Sequence, residues 1–131
     1  MLYRRLSRSN PDQYAIDKET GERRPTSAAF KPKPQEDGLS VYRHTKLAEA
    51  RLDGSAIATA PDHIVFGLGV GDVRSIELGV RDDAWPQEIP DAVHLRNGAH
   101  ALIIGWEGMS RGEVGRRARV LAQLPSLKLV S

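Results

Sequence analysis

The chain has 131 residues, and a domain of this size buries roughly two thirds of its unfolded surface, so a single domain over residues 1–131 is predicted. Hydrophobic residues make up 40% of the sequence and charged residues 27%, values typical of globular proteins that argue against full disorder. The sequence contains no cysteine, which excludes disulfides, thiolate zinc sites and a cysteine nucleophile. A reducing, cytoplasmic compartment is therefore expected.

Neither a membrane span nor a secretory signal is predicted. The longest apolar run, 99–106, is far shorter than the roughly 20 residues that a membrane helix needs. The first ten residues read MLYRRLSRSN and turn polar at once, whereas a secretory signal requires an apolar stretch after its basic start.

The net charge of +2 is unevenly distributed along the chain. Residues 1–46 carry ten Lys/Arg and six Asp/Glu, residues 47–106 carry four and nine, and residues 107–131 carry five and two. Basic ends flanking an acidic middle can indicate nucleic-acid contact. They can equally mean that oppositely charged segments face each other within one fold, which is the favoured interpretation.

The first half of the chain predicts two strands separated by a long loop. Alternation predicts a strand over 2–6, with Leu2, Arg4 and Leu6 on one face. Residues 7–37 lose periodicity and contain four prolines, which predicts a long irregular loop or arm. Within it, residues 28–30 are expected to dock on the core while 17–24 stay exposed. A second strand is predicted over 39–42, after the Asp37-Gly38 turn.

Shorter elements are predicted in the middle of the chain. Thr45 is expected to cap a short helix that reaches Leu52. A strand is predicted over 63–70, where every second residue from Ile64 is apolar. Asp72 is expected to cap a single helical turn before an acidic loop.

The C-terminal third predicts a hairpin, a helix and a strand. The turn signal Asn97-Gly98 predicts a hairpin over 92–104 whose second arm is a central strand. Ser110 and Glu113 form a capping box at the start of a helix, and Met109 can pack on Val114 across it. A last strand is expected over 127–130. The fold class predicted is α+β: a small mixed or antiparallel sheet covered by one main C-terminal helix, with a long irregular N-terminal loop.

No motif demands a metal or a cofactor, and none is predicted. The glycines at 67, 69 and 71 do not fit the dinucleotide fingerprint, because its sixth position is Asp72 here. The sequence contains no phosphate-binding loop motif and no H-E-x-x-H motif. The carboxylates at 82, 83, 88 and 91 lack the spacing of a calcium loop, so a solvated acidic loop is expected.

Four arginines of the predicted C-terminal helix suggest a first function. Arginine forks can hold phosphates, and the N-terminal arginines could extend such a patch, although no interleaved aromatics offer base stacking. The candidate contact residues are Arg111, Arg116, Arg117 and Arg119. The interpretation is a binding module that contacts a protein partner or nucleic acid through this helix and the N-terminal arm. The binding module is the favoured interpretation because no residue spacing demands catalysis. The sequence does not predict an oligomeric state.

A second function follows from Arg4, Ser40 and His100. Ser40 and Tyr42 share a strand face, and Arg4 on an adjacent strand would complete a hydroxyl, a phenol and a guanidinium for an anionic ligand. His100, at a strand start, could act there as acid or base, the alternative being a purely structural hydrogen bond.

This constellation is similar to that of ADP-ribosyltransferase-like folds, in which an early arginine and a later serine line an NAD pocket. The resemblance implies a nucleotide- or NAD-type pocket and a late acidic residue, for which Glu107 or Glu113 would have to serve. The capping box already gives Glu113 a structural role. Under this interpretation, the chain is a small enzyme closed by residues 7–37 as a lid.

Overall fold

A computed structural model describes residues 1–33, 36–84 and 98–130, and shows a mixed α+β fold. Its strands are β1 (Leu2–Ser7), β2 (Tyr14–Ile16), β3 (Arg23–Pro25), β4 (Leu39–Arg43), β5 (His63–Leu68), β6 (Gly79–Asp82), β7 (His100–Ile104) and β8 (Lys128–Leu129). Its helices are α1 (His44–Glu49), α2 (Val70–Ser75) and α3 (Arg111–Ala122), with short 3₁₀ helices over Ser27–Phe30 and Gly54–Ile57. Among the helices described, none is long and apolar enough to cross a bilayer.

Six strands form one antiparallel sheet in the order β6-β7-β4-β1-β5-β8. β1 pairs with β5 over its whole length, from Leu2 opposite Leu68 to Ser7 opposite His63. On its other side, β1 pairs with β4 only at Leu2 and Tyr3. The sheet therefore opens between β1 and β4 beyond Tyr3.

Each face of the sheet carries an apolar cluster, as strand alternation requires. On one face, called the α3 face, side chains of the strands pack with Ala118 and Leu121 of α3 and with Phe30. On the opposite face, called the α1 face, Leu47 and Ile57 pack on strand residues. The strand residues of this second cluster are Tyr3, Tyr42 and Val65.

The segment 7–37 holds more structure than the sequence predicts. β2 and β3 form a two-stranded hairpin, closed by a turn in which Gly21 has φ +74°. Residues 18–24 are exposed, as expected, whereas Asp17 is only partly exposed; Ala29 and Phe30 are fully buried. Ala28 is exposed, because the 3₁₀ helix turns only Ala29 and Phe30 inward. The hairpin was not predicted, since three-residue strands are too short to show alternation.

Three local predictions in the middle of the chain were wrong. α1 begins at His44 after Arg43, so Thr45 lies inside the first turn and does not cap it. β5 ends at Leu68, and Val70 belongs to α2 rather than to the strand. Gly69 precedes α2, and Asp72 lies in its first turn, where its carboxylate accepts a hydrogen bond from Ser126.

The predicted helix at Ser110 is α3, which begins at Arg111. The Ser110 hydroxyl accepts a hydrogen bond from the Glu113 amide at 3.2 Å, as the capping box predicts. The predicted central strand is β7, which lies between β6 and β4. The first arm of the predicted hairpin, with Asn97, lies outside the described residues, as do Glu88 and Asp91 of the acidic loop.

Candidate functional site

A cleft of about 270 Å³ lies where β1 and β4 separate. β1 and β4 supply part of its lining, and the segment between β1 and β4 supplies the rest. The lining residues are Arg4, Arg5, Gln13, Ala28, Lys31, Lys33, Glu36, Leu39, Ser40 and Tyr42. Four of these residues are cationic and one is acidic, so the cleft favours anions.

The Arg4 side chain hydrogen-bonds to β4 where the main-chain ladder between β1 and β4 has ended. Its Nη1 donates to the main-chain oxygen of Ser40 at 2.8 Å, and its Nε donates to the main-chain oxygen of Ala29 at 3.0 Å. These bonds use two of the five N–H donors of the guanidinium. Arg4 is the only polar residue that β1 places on the α3 face. The two hydrogen bonds hold its charged end at the cleft.

The Arg4 guanidinium is charged but lacks a close counter-ion in the part of the chain that the structure describes. Desolvation lowers the pKa of Arg4 to about 10, an effect that the negative charge of Glu36 partly offsets. Because this pKa lies well above 7, the group is a cation at neutral pH. Among the described residues, no carboxylate forms an ion pair with it.

Ser40, His100 and Asp83 form a hydrogen-bonded chain across three adjacent strands. The Ser40 Oγ lies 2.5 Å from Nε2 of His100. Nδ1 of His100 lies 2.9 Å from the main-chain oxygen of Asp83 and 3.2 Å from its carboxylate Oδ2. Because both Asp83 atoms are acceptors, Nδ1 carries the proton, and Nε2 accepts from the Ser40 hydroxyl.

The sheet fixes this chain in place. Asp83 directly follows β6, and its amide donates to the His100 carbonyl at 3.0 Å, which continues the β6–β7 ladder by one residue. His100 lies opposite Tyr42, two residues from Ser40 along β4. The Tyr42 ring contacts the imidazole edge-on, with the ring centroids 5.4 Å apart. His100 is only 2% exposed, so its orientation is set by packing as well as by hydrogen bonds.

The structure brings Arg4, Ser40 and His100 into contact through Ser40. Arg4 binds the main-chain oxygen of Ser40, and His100 binds its hydroxyl. Asp83 is the member of this chain that the sequence analysis missed, since it was assigned to a solvated loop. The signal would have been the register of β6 on β7, which places Asp83 opposite His100.

The four arginines of α3 do not share one surface. Arg117 is 12% exposed; its Nε donates to the Ile76 carbonyl at 3.0 Å, and its Nη2 lies 3.2 Å from the Glu77 carboxylate. It therefore ties α3 to the end of α2. At about 100° per residue, Arg116 and Arg119 lie about 140° and about 80° around the helix from Arg111.

The two other histidines that the structure describes also have hydrogen-bond partners. Nδ1 of His44 lies 2.8 Å from the Tyr3 hydroxyl, and Nδ1 of His63 accepts from the amides of Thr59 and Ala60 at 3.0 Å. The His44 contact joins α1 to β1, and the His63 contacts hold the loop that precedes β5. His94 lies outside the described residues.

Comparison of this chain with protein-family models, with curated proteins and with solved structures found no match. The similarity to ADP-ribosyltransferase-like folds therefore rests on Arg4 and Ser40 alone. The residues of the cleft and of the Ser40–His100–Asp83 chain are the features that bear on function.

Proposed function

We propose that this chain is a small cytoplasmic enzyme that binds a phosphate-bearing molecule of the nucleotide or NAD type in the cleft between β1 and β4. The observation that carries the proposal is the Arg4 guanidinium, which lies at a cation-lined cleft without a close counter-ion among the described residues. The absence of cysteine from the sequence supports the reducing compartment.

The energetics of Arg4 favour an anionic ligand. The lowering of its pKa to about 10 corresponds to a cost of about 3 kcal/mol for keeping the group charged in its site. A phosphate placed against the remaining N–H donors would offset this cost through charge-assisted hydrogen bonds, which a planar guanidinium forms in pairs. Arg5, Lys31 and Lys33 would add to the attraction from the cleft walls.

The shape around the cleft fits a ligand with a phosphate and an apolar ring. A volume of about 270 Å³ lies at the small end of ligand pockets and suits a phosphate or pyrophosphate group. A groove of about 660 Å³ shares Lys31, Lys33 and Glu36 with the cleft, and Trp106 and Met109 line its apolar part. The base of a nucleotide would extend into this groove.

Calorimetric titration with pyrophosphate, ADP and NAD⁺ tests the proposal. We expect binding that weakens with salt, and a loss of at least about tenfold in Arg4→Gln, which corresponds to about 1.4 kcal/mol. Arg119→Gln removes the same charge from an exposed position on α3 and should bind as the wild type does. Lys33→Glu changes an exposed cleft residue, so it reports on the cleft even if Arg4→Gln is unstable.

Equal affinities in the wild type, Arg4→Gln and Lys33→Glu would contradict the proposal. Failure of all three ligands to bind at millimolar concentration would contradict it as well. A ligand that binds equally well at low and high salt would show that phosphate contacts are not the main source of affinity.

A second candidate function is the contact of nucleic acid or a protein partner through α3. Arg111, Arg116 and Arg119 are exposed and form no ion pair within the described residues, which leaves them available to phosphates or carboxylates. Oligonucleotide binding that is lost in Arg116→Gln/Arg119→Gln, with nucleotide binding unchanged, would support this candidate. The slope of log K against log salt counts the phosphates contacted.

A further inference from the structure

We propose that Ser40 is a nucleophile for acyl transfer, with His100 as its general base and Asp83 as a positioning residue. The substrate class is a small carboxylic ester whose alcohol part carries a phosphate group. The phosphate requirement rests on the function proposed above, whereas the nucleophile rests on the separate geometry of Ser40, His100 and Asp83.

The geometry meets three requirements of an activated hydroxyl. The nucleophile and its base are in hydrogen-bond contact, at 2.5 Å from Ser40 Oγ to His100 Nε2. The base is oriented by a third group, since Asp83 accepts a hydrogen bond from the Nδ1–H of His100. Ser40 is also one of the residues that line the cleft.

Rigid strands hold all three groups. Ser40 lies in β4, His100 begins β7, and Asp83 follows β6, so the main-chain ladders of three neighbouring strands set their spacing. A site built on strands keeps its geometry better than one built on loops. The Tyr42 ring against the imidazole limits rotation of His100.

Water is the only reactant that the reaction needs besides the ester. The Ser40 Oγ bonds to the acyl carbon as its proton passes to Nε2 of His100, and the carbonyl oxygen becomes an oxyanion. The intermediate collapses as the bond from carbon to the alcohol oxygen breaks, and His100 returns the proton to that oxygen. Water then attacks the acyl-Ser40 ester with His100 again as base, which releases the acid and restores Ser40.

The charges around the site match the charges that develop. The oxyanion forms beside a cleft lined by Arg4, Arg5, Lys31 and Lys33, which favours negative charge. The imidazolium forms next to the Asp83 carboxylate, which stabilises it without taking the proton.

The first test uses a neutral fluorophosphonate on the full chain, with the labelled residue identified by mass spectrometry. We expect labelling at Ser40 that is lost in Ser40→Ala and retained in Ser75→Ala, an exposed serine of α2. Labelling should fall at least about tenfold in His100→Gln and survive in Arg119→Gln, which removes an exposed charge of α3 that lies outside the cleft. An unlabelled Ser40 would overturn the proposal.

The two proposals fail in different ways in this assay. Protection of Ser40 from labelling by pyrophosphate supports both. If pyrophosphate does not slow the labelling, the proposal that Ser40 is a nucleophile stands, and the proposal of a phosphate-bearing substrate is overturned. Pyrophosphate binding without any labelling supports the cleft and overturns the nucleophile.

A further variant, Ser40→Cys, tests the role of Ser40 even if Ser40→Ala or His100→Gln is unstable. Because the chain contains no cysteine, Ser40→Cys introduces a single thiol whose alkylation by iodoacetamide can be followed against pH. We expect its alkylation midpoint to lie at least about one pH unit below that of Ser75→Cys, since a thiolate is favoured beside an imidazolium. Asp83→Asn should move the midpoint back towards that of Ser75→Cys. Equal midpoints in Ser40→Cys and Ser75→Cys would overturn the proposal.

Discussion

Phe30→Ala measures how firmly the segment between β1 and β4 is held on the sheet. Phe30 is 0% exposed and belongs to the cluster on the α3 face, where the 3₁₀ helix over Ser27–Phe30 lies against α3. Truncating a fully buried phenylalanine costs about 3–5 kcal/mol through lost apolar burial and the cavity that remains. That is a large part of the roughly 5–15 kcal/mol that stabilises a domain.

Urea denaturation followed by tryptophan fluorescence gives the free energy of unfolding of both forms. Ile16→Ala is the matched control, because Ile16 lies in the same segment but is 61% exposed, and its change should stay within about 0.5 kcal/mol. A Phe30→Ala cost below about 1 kcal/mol would contradict this prediction, since the segment would then not depend on its buried anchor. The variant should also bind pyrophosphate more weakly, because the neighbouring Ala29 carbonyl holds Arg4.

Four further variants test local features. Gly38→Ala should lower the free energy of unfolding by about 1–3 kcal/mol, since its Cβ would lie 2.5 Å from the Ile103 carbonyl oxygen. Gly71→Ala, with open space around it in α2, should be neutral or stabilise by up to about 1 kcal/mol in the same denaturation assay. Ser110→Ala removes the cap of α3 and should cost about 1 kcal/mol by thermal denaturation; an unchanged melting temperature would argue against the cap. Hydrogen bonds from Ser7 and Ser9 hold the pKa of Asp62 below that of an ordinary carboxyl group, so its stabilising effect is present above about pH 4 and lost as the pH falls through the lowered pKa. The difference in melting temperature between Asp62→Asn and the wild type should therefore shrink as the pH falls below about 4, and a constant difference would contradict this assignment.

Elements with strong local patterns could be predicted from the sequence. Alternation around Leu39 and Ile64 gave strands close to the observed β4 and β5, because each face of the sheet buries every second side chain. Ser110 and Glu113 located the start of α3 to the residue, since capping involves only neighbours in sequence.

The site needed long-range information that local patterns do not contain. Ser40 and Arg4 were correctly expected on adjacent strands, but the early end of their ladder and the cleft that it leaves depend on register. Asp83 became a partner of His100 only through β6–β7 pairing. The prediction that Thr45 caps α1 was wrong for a similar reason. The observed helix starts where β4 ends, at Arg43, and not at the residue best suited to capping.

The position of β1 has a consequence for how the chain reaches its structure. β1 is the first in sequence of the strands that the structure describes, but it lies in the interior of the sheet, between β4 and β5. Its longest ladder joins Leu2 to Leu68, so most of its main-chain hydrogen bonds must wait until β5 has emerged from the ribosome. Pairing over such sequence distances makes folding slow, on the scale of milliseconds to seconds, and leaves β1 exposed to other chains meanwhile. Newly synthesised molecules should therefore depend on chaperones more than molecules that have already folded.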